Sequence, residues 1–335
     1  MLDSTTARAA RLLCIGFPGT RPTRELEELV ELGVRSVILF ARNAGERDQV
    51  AETISSIKAL ARDPADPILV CVDQEGGETI RFREGFHPPP FMREVGAQGP
   101  ESAARIGAAL AADLRPVGVD LDLAPVVDVD SNPANPVIGR RSFGRDPDLV
   151  GRCGAALVQS MQAGGVAACG KHFPGHGDTD SDSHHDLPVL RHDRGRLDLV
   201  ELPPFRAVIE AGVAAIMTTH VVFEAIDPGV PATMSRAAID GLLRQELGFD
   251  GVVISDDLEM AAIADLPELE GDLGEAAVRA VEAGVDLVLC CHEPQRQRRV
   301  VEAIADAIAS GRIDEPRIAD AHRRLDRLFI DFVRD

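Results

Sequence analysis

The stretch AVEAGVDLVLCC, Ala280 to Cys291, shows the unit from which the fold is read: the end of a helix, a glycine, a valine and a short apolar run. Ala277, Val278 and Val281 lie on one helical face at spacings of three and four. Gly284 ends that helix, because glycine accepts the left-handed conformation in which a chain leaves a helix and turns back into a strand. The same junction recurs at Gly33-Val34, Gly118-Val119, Gly165-Val166 and Gly212-Val213, with Gly251-Val252 as a variant. Each one is an α-to-β connection.

Working outward, eight apolar runs are candidate strands: Leu12 to Gly16, Ser36 to Phe40, Ile68 to Asp73, Val119 to Val126, Ala167 to Lys171, Ala214 to Thr218, Val252 to Ser255 and Asp286 to Cys290. Helical patterns such as Leu26, Leu29 and Val30 separate them. Strict alternation implies a parallel sheet, and eight repeats predict an α/β fold of the closed (β/α)8 barrel type. A doubly wound open sheet is the alternative, but no strand leads into a GxGxxG turn and polar residues follow several strands rather than one or two. No Ser-, Pro- or Gly-rich linker divides the chain, so residues 1–335 are expected to form a single catalytic barrel. Ile318, Leu325, Leu328 and Phe332 place the last helix in its wall.

Composition narrows the function. At 45% hydrophobic and 27% charged, the 335 residues can build one large core. A net charge of -20 and a pI near 4.8, with no basic stripe, argue against nucleic acid. No run reaches the length of a membrane span, and the first twenty residues lack the order of a secretory signal, so a cytoplasmic protein is expected. Cys14, Cys71, Cys169 and Cys290 fall in apolar strands and read as reduced packing residues. Cys290-Cys291 has no zinc or redox spacing. With no Trp or Tyr, only Phe can stack on a ligand.

In a (β/α)8 barrel the C-terminal strand ends converge on one face, and Asp73, Asp128, Lys171, His172, His220 and Asp256 all sit at or just beyond such ends. Asp256 closes a β-branched run and is expected to point into the barrel mouth, whereas Asp257 suits a cap on the next helix, being nearer the Leu258-Glu259-Met260 segment read as helical. Between Lys171 and His184 lies a glycine-broken polar loop in which Asp182 and His184 are two residues apart. A carboxylate can hold an imidazole in one tautomer and support its cation, which is acid/base chemistry near neutral pH. Metal binding by this His- and Asp-rich loop is the competing reading, but the spacing matches neither HExxH nor a paired zinc set. Lys171 is one of only two lysines in an arginine-rich chain, which suits a site needing a compact ammonium donor. Arg81 and Arg141 lie in polar turns beyond strand ends, where they can reach a ligand or form surface ion pairs.

These residues resemble a known family. KHFPGHG followed by DSH, Lys171 to His184, is similar to the signature of the bacterial β-N-acetylglucosaminidases of glycoside hydrolase family 3, the NagZ type. Val72-Asp73-Gln74-Glu75-Gly76-Gly77, Leu39 to Asn43, Asn135 to Gly144 and Ser255-Asp256-Asp257-Leu258 extend the resemblance over nearly the whole chain. It implies Asp256 as nucleophile, His184 as general acid/base and Asp182 as its orienting partner. Asp73, Arg81, Arg141, Lys171 and His172 would bind the N-acetylglucosamine ring and its acetamido group. Glu78 departs from the pattern, since members usually carry Arg directly after the Gly-Gly pair.

The implied reaction is retaining hydrolysis of terminal, non-reducing β-linked N-acetylglucosamine through an aspartyl glycosyl-enzyme, with Gly175 and Gly177 as hinges for the loop that bears His184. No metal or other cofactor is called for. The expected partners are N-acetylglucosaminide substrates, muropeptides of cell-wall recycling among them, with no nucleic acid and no membrane; the residues set no oligomeric state. Two alternatives share the site: a phosphorylase that hands the sugar to phosphate, and a sugar-binding protein without turnover.

Overall fold

The computed structural model describes residues 4–333. Eight parallel strands close into a barrel: β1 (Leu13–Ile15), β2 (Ser36–Leu39), β3 (Leu69–Val72), β4 (Leu121–Asp122), β5 (Ala167–Phe173), β6 (Ala215–Thr218), β7 (Val252–Asp257) and β8 (Leu287–Cys290). Each pairs with its sequence neighbours, and β8 pairs with β1, Cys14 standing opposite Leu289. All eight strands fall within the runs read from the sequence or extend them by a few residues.

The Gly-Val junctions work as their chemistry requires. At Gly33 and Gly284 the backbone φ is 123° and 122°, and the following valine N–H reaches back to a carbonyl five residues earlier, Val34 to Leu29 and Val285 to Ala280. The bond recurs from Val119 to Leu114, Val166 to Met161 and Val213 to Val208. Gly251 is the exception, its left-handed turn being taken by Gly248 at φ 73°.

A helix follows every strand, from Arg24–Leu32 after β1 to Pro294–Ala309 after β8, and Glu315–Phe332 closes the wall with Ile318 and Leu325 fully buried. Strands covered on both sides become continuous apolar runs, and the buried residues form one contiguous core. All six cysteines are buried and unpaired; Cys14 Sγ lies 3.6 Å from Cys71 Sγ.

At the N-terminal ends of the strands, Asp120 and Asp286 hold the barrel together. Asp286 accepts from Val253 N at 3.0 Å and faces Arg244 and Arg317 at 2.6 and 2.9 Å. Asp120 accepts from Val70 N at 2.9 Å and pairs with Lys58 at 2.8 Å. The two lysines therefore serve opposite ends of the barrel, Lys58 below and Lys171 above. No helix among the described residues is long and apolar enough to cross a membrane.

Candidate active site

Above the C-terminal ends of the strands lies a cavity of about 580 Å³. Asp73, Arg81, Arg141, Lys171, His172, His184 and Asp256 all line it, although they span more than half the chain. Asp182 stands behind His184.

A buried charge cluster forms one side. Lys171 Nζ, at the end of β5, lies 2.7 Å from Asp73 Oδ1 and 2.6 Å from Glu75 Oε1. Glu75 also receives a two-pronged bond from Arg141, Nε and Nη2 each at 2.8 Å, and Asp73 faces Arg81 Nη2 at 3.3 Å. Burial opposes the charge on Glu75, but Arg141 and Lys171 overcome it and hold the carboxyl well below its usual range. Burial likewise opposes the Lys171 cation, which Asp73 and Glu75 hold firmly protonated. The cluster sets three cations, Arg81, Arg141 and Lys171, against the carboxylates of Asp73 and Glu75, so N–H donors are held at the cavity wall.

Two irregularities aim neighbouring side chains at this one space. The ladder of β5 with β6 shifts between Gly170 and Phe173, and that of β7 with β8 between Leu287 and Leu289. In regular strands alternate residues face opposite sides; here Lys171 and His172, and likewise Asp256 and Asp257, all line the cavity. His172 is fixed by Asp128, whose Oδ2 lies 2.7 Å from its Nδ1, leaving Nε2 on the cavity side, 3.5 Å from Arg141 Nη2. Asp128 also accepts from His176 N at 2.7 Å, so this buried carboxylate orients the strand end rather than lining the cavity.

Asp256 accepts from Asp257 N at 2.9 Å. Enclosure works against its charge, yet His220, His172, the Asp257 N–H and Lys171 together hold the carboxyl below its usual range, so it is ionised at neutral pH. Asp257 is not the helix cap expected, because Leu258 to Met260 form a turn and the helix begins at Ala261 with Met260 as its N-cap; Asp257 accepts from Glu259 N at 3.2 Å within that turn and also faces His292 Nε2 at 3.2 Å. His220 does not reach the cavity: its ring is buried, with Nε2 3.0 Å from the Asp257 carbonyl and Nδ1 2.8 Å from Thr233 Oγ1. Phe40 is the phenylalanine of the lining, with the Arg81 guanidinium 5.6 Å from its ring centre.

His184, also in the lining, is exposed. Asp182 Oδ1 lies 2.6 Å from its Nδ1 and accepts its backbone N–H at 2.9 Å, which leaves Nε2 for a ligand. Burial opposes the Asp182 charge, but the His184 backbone and ring keep the carboxyl below its usual range. Gly175 and Gly177 correct the hinge expectation. A Cβ at Gly177 would stand 1.8 Å from the Val129 carbonyl oxygen and one at Gly175 2.8 Å from Glu201 Cγ. Both glycines allow close packing of a fixed segment, and neither is placed as a free pivot.

The model of the glycosyl hydrolase family 3 N-terminal domain matches residues 5–328. The chain belongs to glycoside hydrolase family 3. It is similar to proteins named beta-hexosaminidase from Thiobacillus denitrificans, 42% identical over 88% of this chain and 79% of the relative, and from Thioalkalivibrio sulfidiphilus, 44% identical over 81% and 77%. Among solved structures it resembles a family 3 β-N-acetylglucosaminidase from Paenibacillus sp. FPU-7, with TM-score 0.94 and 43% identity over 97% of this chain; the chain spans 62% of that protein's length. NagZ from Neisseria gonorrhoeae, solved in complex with N-trifluoroacetyl-D-glucosamine, matches with TM-score 0.77 and 31% identity over 95% and 97%. This chain is an enzyme, a glycoside hydrolase of the β-hexosaminidase type.

Within this family 3 barrel, sequence reasoning missed Glu75, the anchor that joins Lys171 to Arg141. A signal existed: Glu75 follows Asp73 by two residues in a polar turn beyond β3, the same ground on which Arg81 was chosen. Ser183, buried between a half-buried Asp182 and an exposed His184, and His176 beneath it carried no such signal. Glu78 is exposed at the tight turn between Gly76 and Thr79 and is not part of the cavity lining, so its departure from the family pattern leaves the buried cluster intact.

Proposed function

We propose that this enzyme is a retaining exo-β-N-acetylglucosaminidase that removes terminal, non-reducing N-acetylglucosamine, with peptidoglycan-derived muropeptides in the cytoplasm as its substrates. The observation that carries the reading is that an ionised Asp256 and a His184 held by Asp182 line one cavity. The cavity falls in the range of about 300–1,000 Å³ typical of small-ligand sites. Hydroxyl and acetamido groups would meet Asp73, Arg81, Arg141, Lys171 and His172. The N-acylglucosamine named in the gonococcal complex supports that choice of sugar.

In the first step an Asp256 carboxylate oxygen forms a bond to the anomeric carbon as the bond to the leaving oxygen breaks, and His184 Nε2–H gives that oxygen its proton. The neutral imidazole that results keeps its Nδ1–H on the Asp182 carboxylate, and the imidazolium returns in the second step. In the second step His184 Nε2 takes a proton from water, the water oxygen attacks the anomeric carbon, and Asp256 departs as a carboxylate. A fluorinated N-acetylglucosaminide that accumulates the intermediate tests this directly: peptide mass spectrometry is expected to find the sugar on Asp256. Label on any other residue, or turnover without label, rejects the assignment.

A further inference from the structure

The Asp182-His184 pair sits on a short arch, residues 181–186, in which Ser183 is the one buried residue. Inside the arch, Asp182 accepts from the backbone of His184 through its side chain and from His185 and Asp186 through its carbonyl. These bonds shape the arch without attaching it to the barrel. Among the described residues, the hydrogen bonds that attach it are both made by Ser183. Its Oγ lies 3.0 Å from His176 Nε2, and its carbonyl accepts from Ala262 N, beyond β7, at 3.3 Å.

The other end of this attachment is fixed. His176 donates its backbone N–H to Asp128 at 2.7 Å, its carbonyl accepts from Asn135 Nδ2 at 2.9 Å, and its Nδ1 lies 2.9 Å from Thr179 Oγ1. Burial keeps the imidazole neutral, its pKa lowered to about 4, so the ring offers one donor and one acceptor and both find hydroxyl partners. Asn132 Nδ2 also reaches the Asp180 carboxylate at 2.8 Å, so the chain is anchored up to residue 180 and then leaves the surface until Ser183. His184 stands out from that single buried point.

We propose that Ser183 is a positioning residue: the bond between its Oγ and His176 Nε2 latches the arch in the pose that puts His184 and Asp256 on one cavity, and the arch leaves that pose when the bond breaks. The inference rests on the acid/base role proposed for His184. Its consequence concerns proton donation rather than folding. Without the latch the arch spends less time in place, so reactions that need a proton on the leaving oxygen slow more than those that do not.

The test compares kcat/KM for a dinitrophenyl N-acetylglucosaminide, whose leaving group needs no proton, with that for an alkyl N-acetylglucosaminide, whose leaving group does. Ser183→Ala is expected to shift the ratio of the two by about three- to tenfold, the worth of one buried hydrogen bond. Deuterium exchange of a peptide spanning 180–186 should quicken by a similar factor, about three- to tenfold. Ser183→Thr, which keeps the hydroxyl, should bring both back. If Ser183→Ala fails to fold, His176→Phe, which keeps a ring but has no nitrogen, removes the same bond from the other side and is read by the same ratio. His184→Ala separates the two levels of the argument. If it leaves the ratio unchanged, the acid/base reading falls and the latch with it. A shift with His184→Ala alongside wild-type ratio and exchange in Ser183→Ala overturns the latch alone.

Discussion

Asp122 is a carboxylic acid that this fold keeps neutral, and replacing it with asparagine should change how stability depends on pH. It ends β4 beneath the charge cluster, completely buried, with Oδ1 accepting from Gln74 N at 2.9 Å and Oδ2 without a partner. Burial raises its pKa to about 8; the Gln74 N–H and the Lys171 charge oppose that rise, and Asp73 and Glu75 reinforce it. In the unfolded chain an aspartate titrates near about 3.9. Between those values the native protein holds a proton that the unfolded chain has lost, so this residue lowers stability by about 1.4 kcal/mol for each pH unit gained. Asp122→Asn keeps the shape and the Oδ1 acceptor but removes the titration. From pH 5 to pH 7 the stability of the variant relative to the parent should therefore rise by about 2.7 kcal/mol. The buried neutral His176 acts in the opposite direction, losing stability as pH falls from 6.5 towards about 4, but it is present in both proteins and cancels from the difference. Urea unfolding at pH 5, 6 and 7 measures the difference, followed by far-ultraviolet circular dichroism because the chain has no Trp or Tyr. A difference that stays constant over this range would show that Asp122 is ionised in the native state and refute the reasoning.

Glu75→Gln removes the charge that Lys171 and Arg141 share, and breaking one side of a buried ion cluster costs about 3–5 kcal/mol; the unfolding midpoint should fall, and KM should rise in whatever folded enzyme remains. Gly177→Ala sets a methyl group 1.8 Å from the Val129 carbonyl oxygen, so the segment must shift at a cost of about 1–3 kcal/mol. Thermal unfolding should register that loss, and an unchanged midpoint would mean the segment is looser than its packing indicates.

The barrel was legible because it rests on one local rule used repeatedly. A helix that ends at glycine and turns through valine into an apolar run carries its meaning within a dozen residues, and the bond from Val285 to Ala280 recurs at four other junctions. Where the junction departs from the rule, at Gly251, the strand was still readable from its β-branched residues. The strand-end candidates were legible for a related reason. Once the barrel is known, residues such as Asp73, Lys171 and Asp256 must come to one face whatever their separation in the chain.

What could not be read depends on how neighbouring side chains are aimed and on what lies beneath them. Strand alternation would send Lys171 and His172 to opposite sides, yet both face the cavity where the pairing of β5 is irregular and the peptide between the two residues is cis. Asp128 and His220 stand at strand ends as Asp73 does, yet both are buried beneath the lining, because each is consumed by partners that no spacing rule announces, His172 and His176 for one and Thr233 for the other. Asp122 is one step further from view: its neutral state arises from the lack of a cation close enough to pair with it, a property of the folded interior alone. Sequence reasoning therefore finds which residues arrive at the face, while the division between those that meet the sugar and those that hold them in place is set by the second layer of contacts.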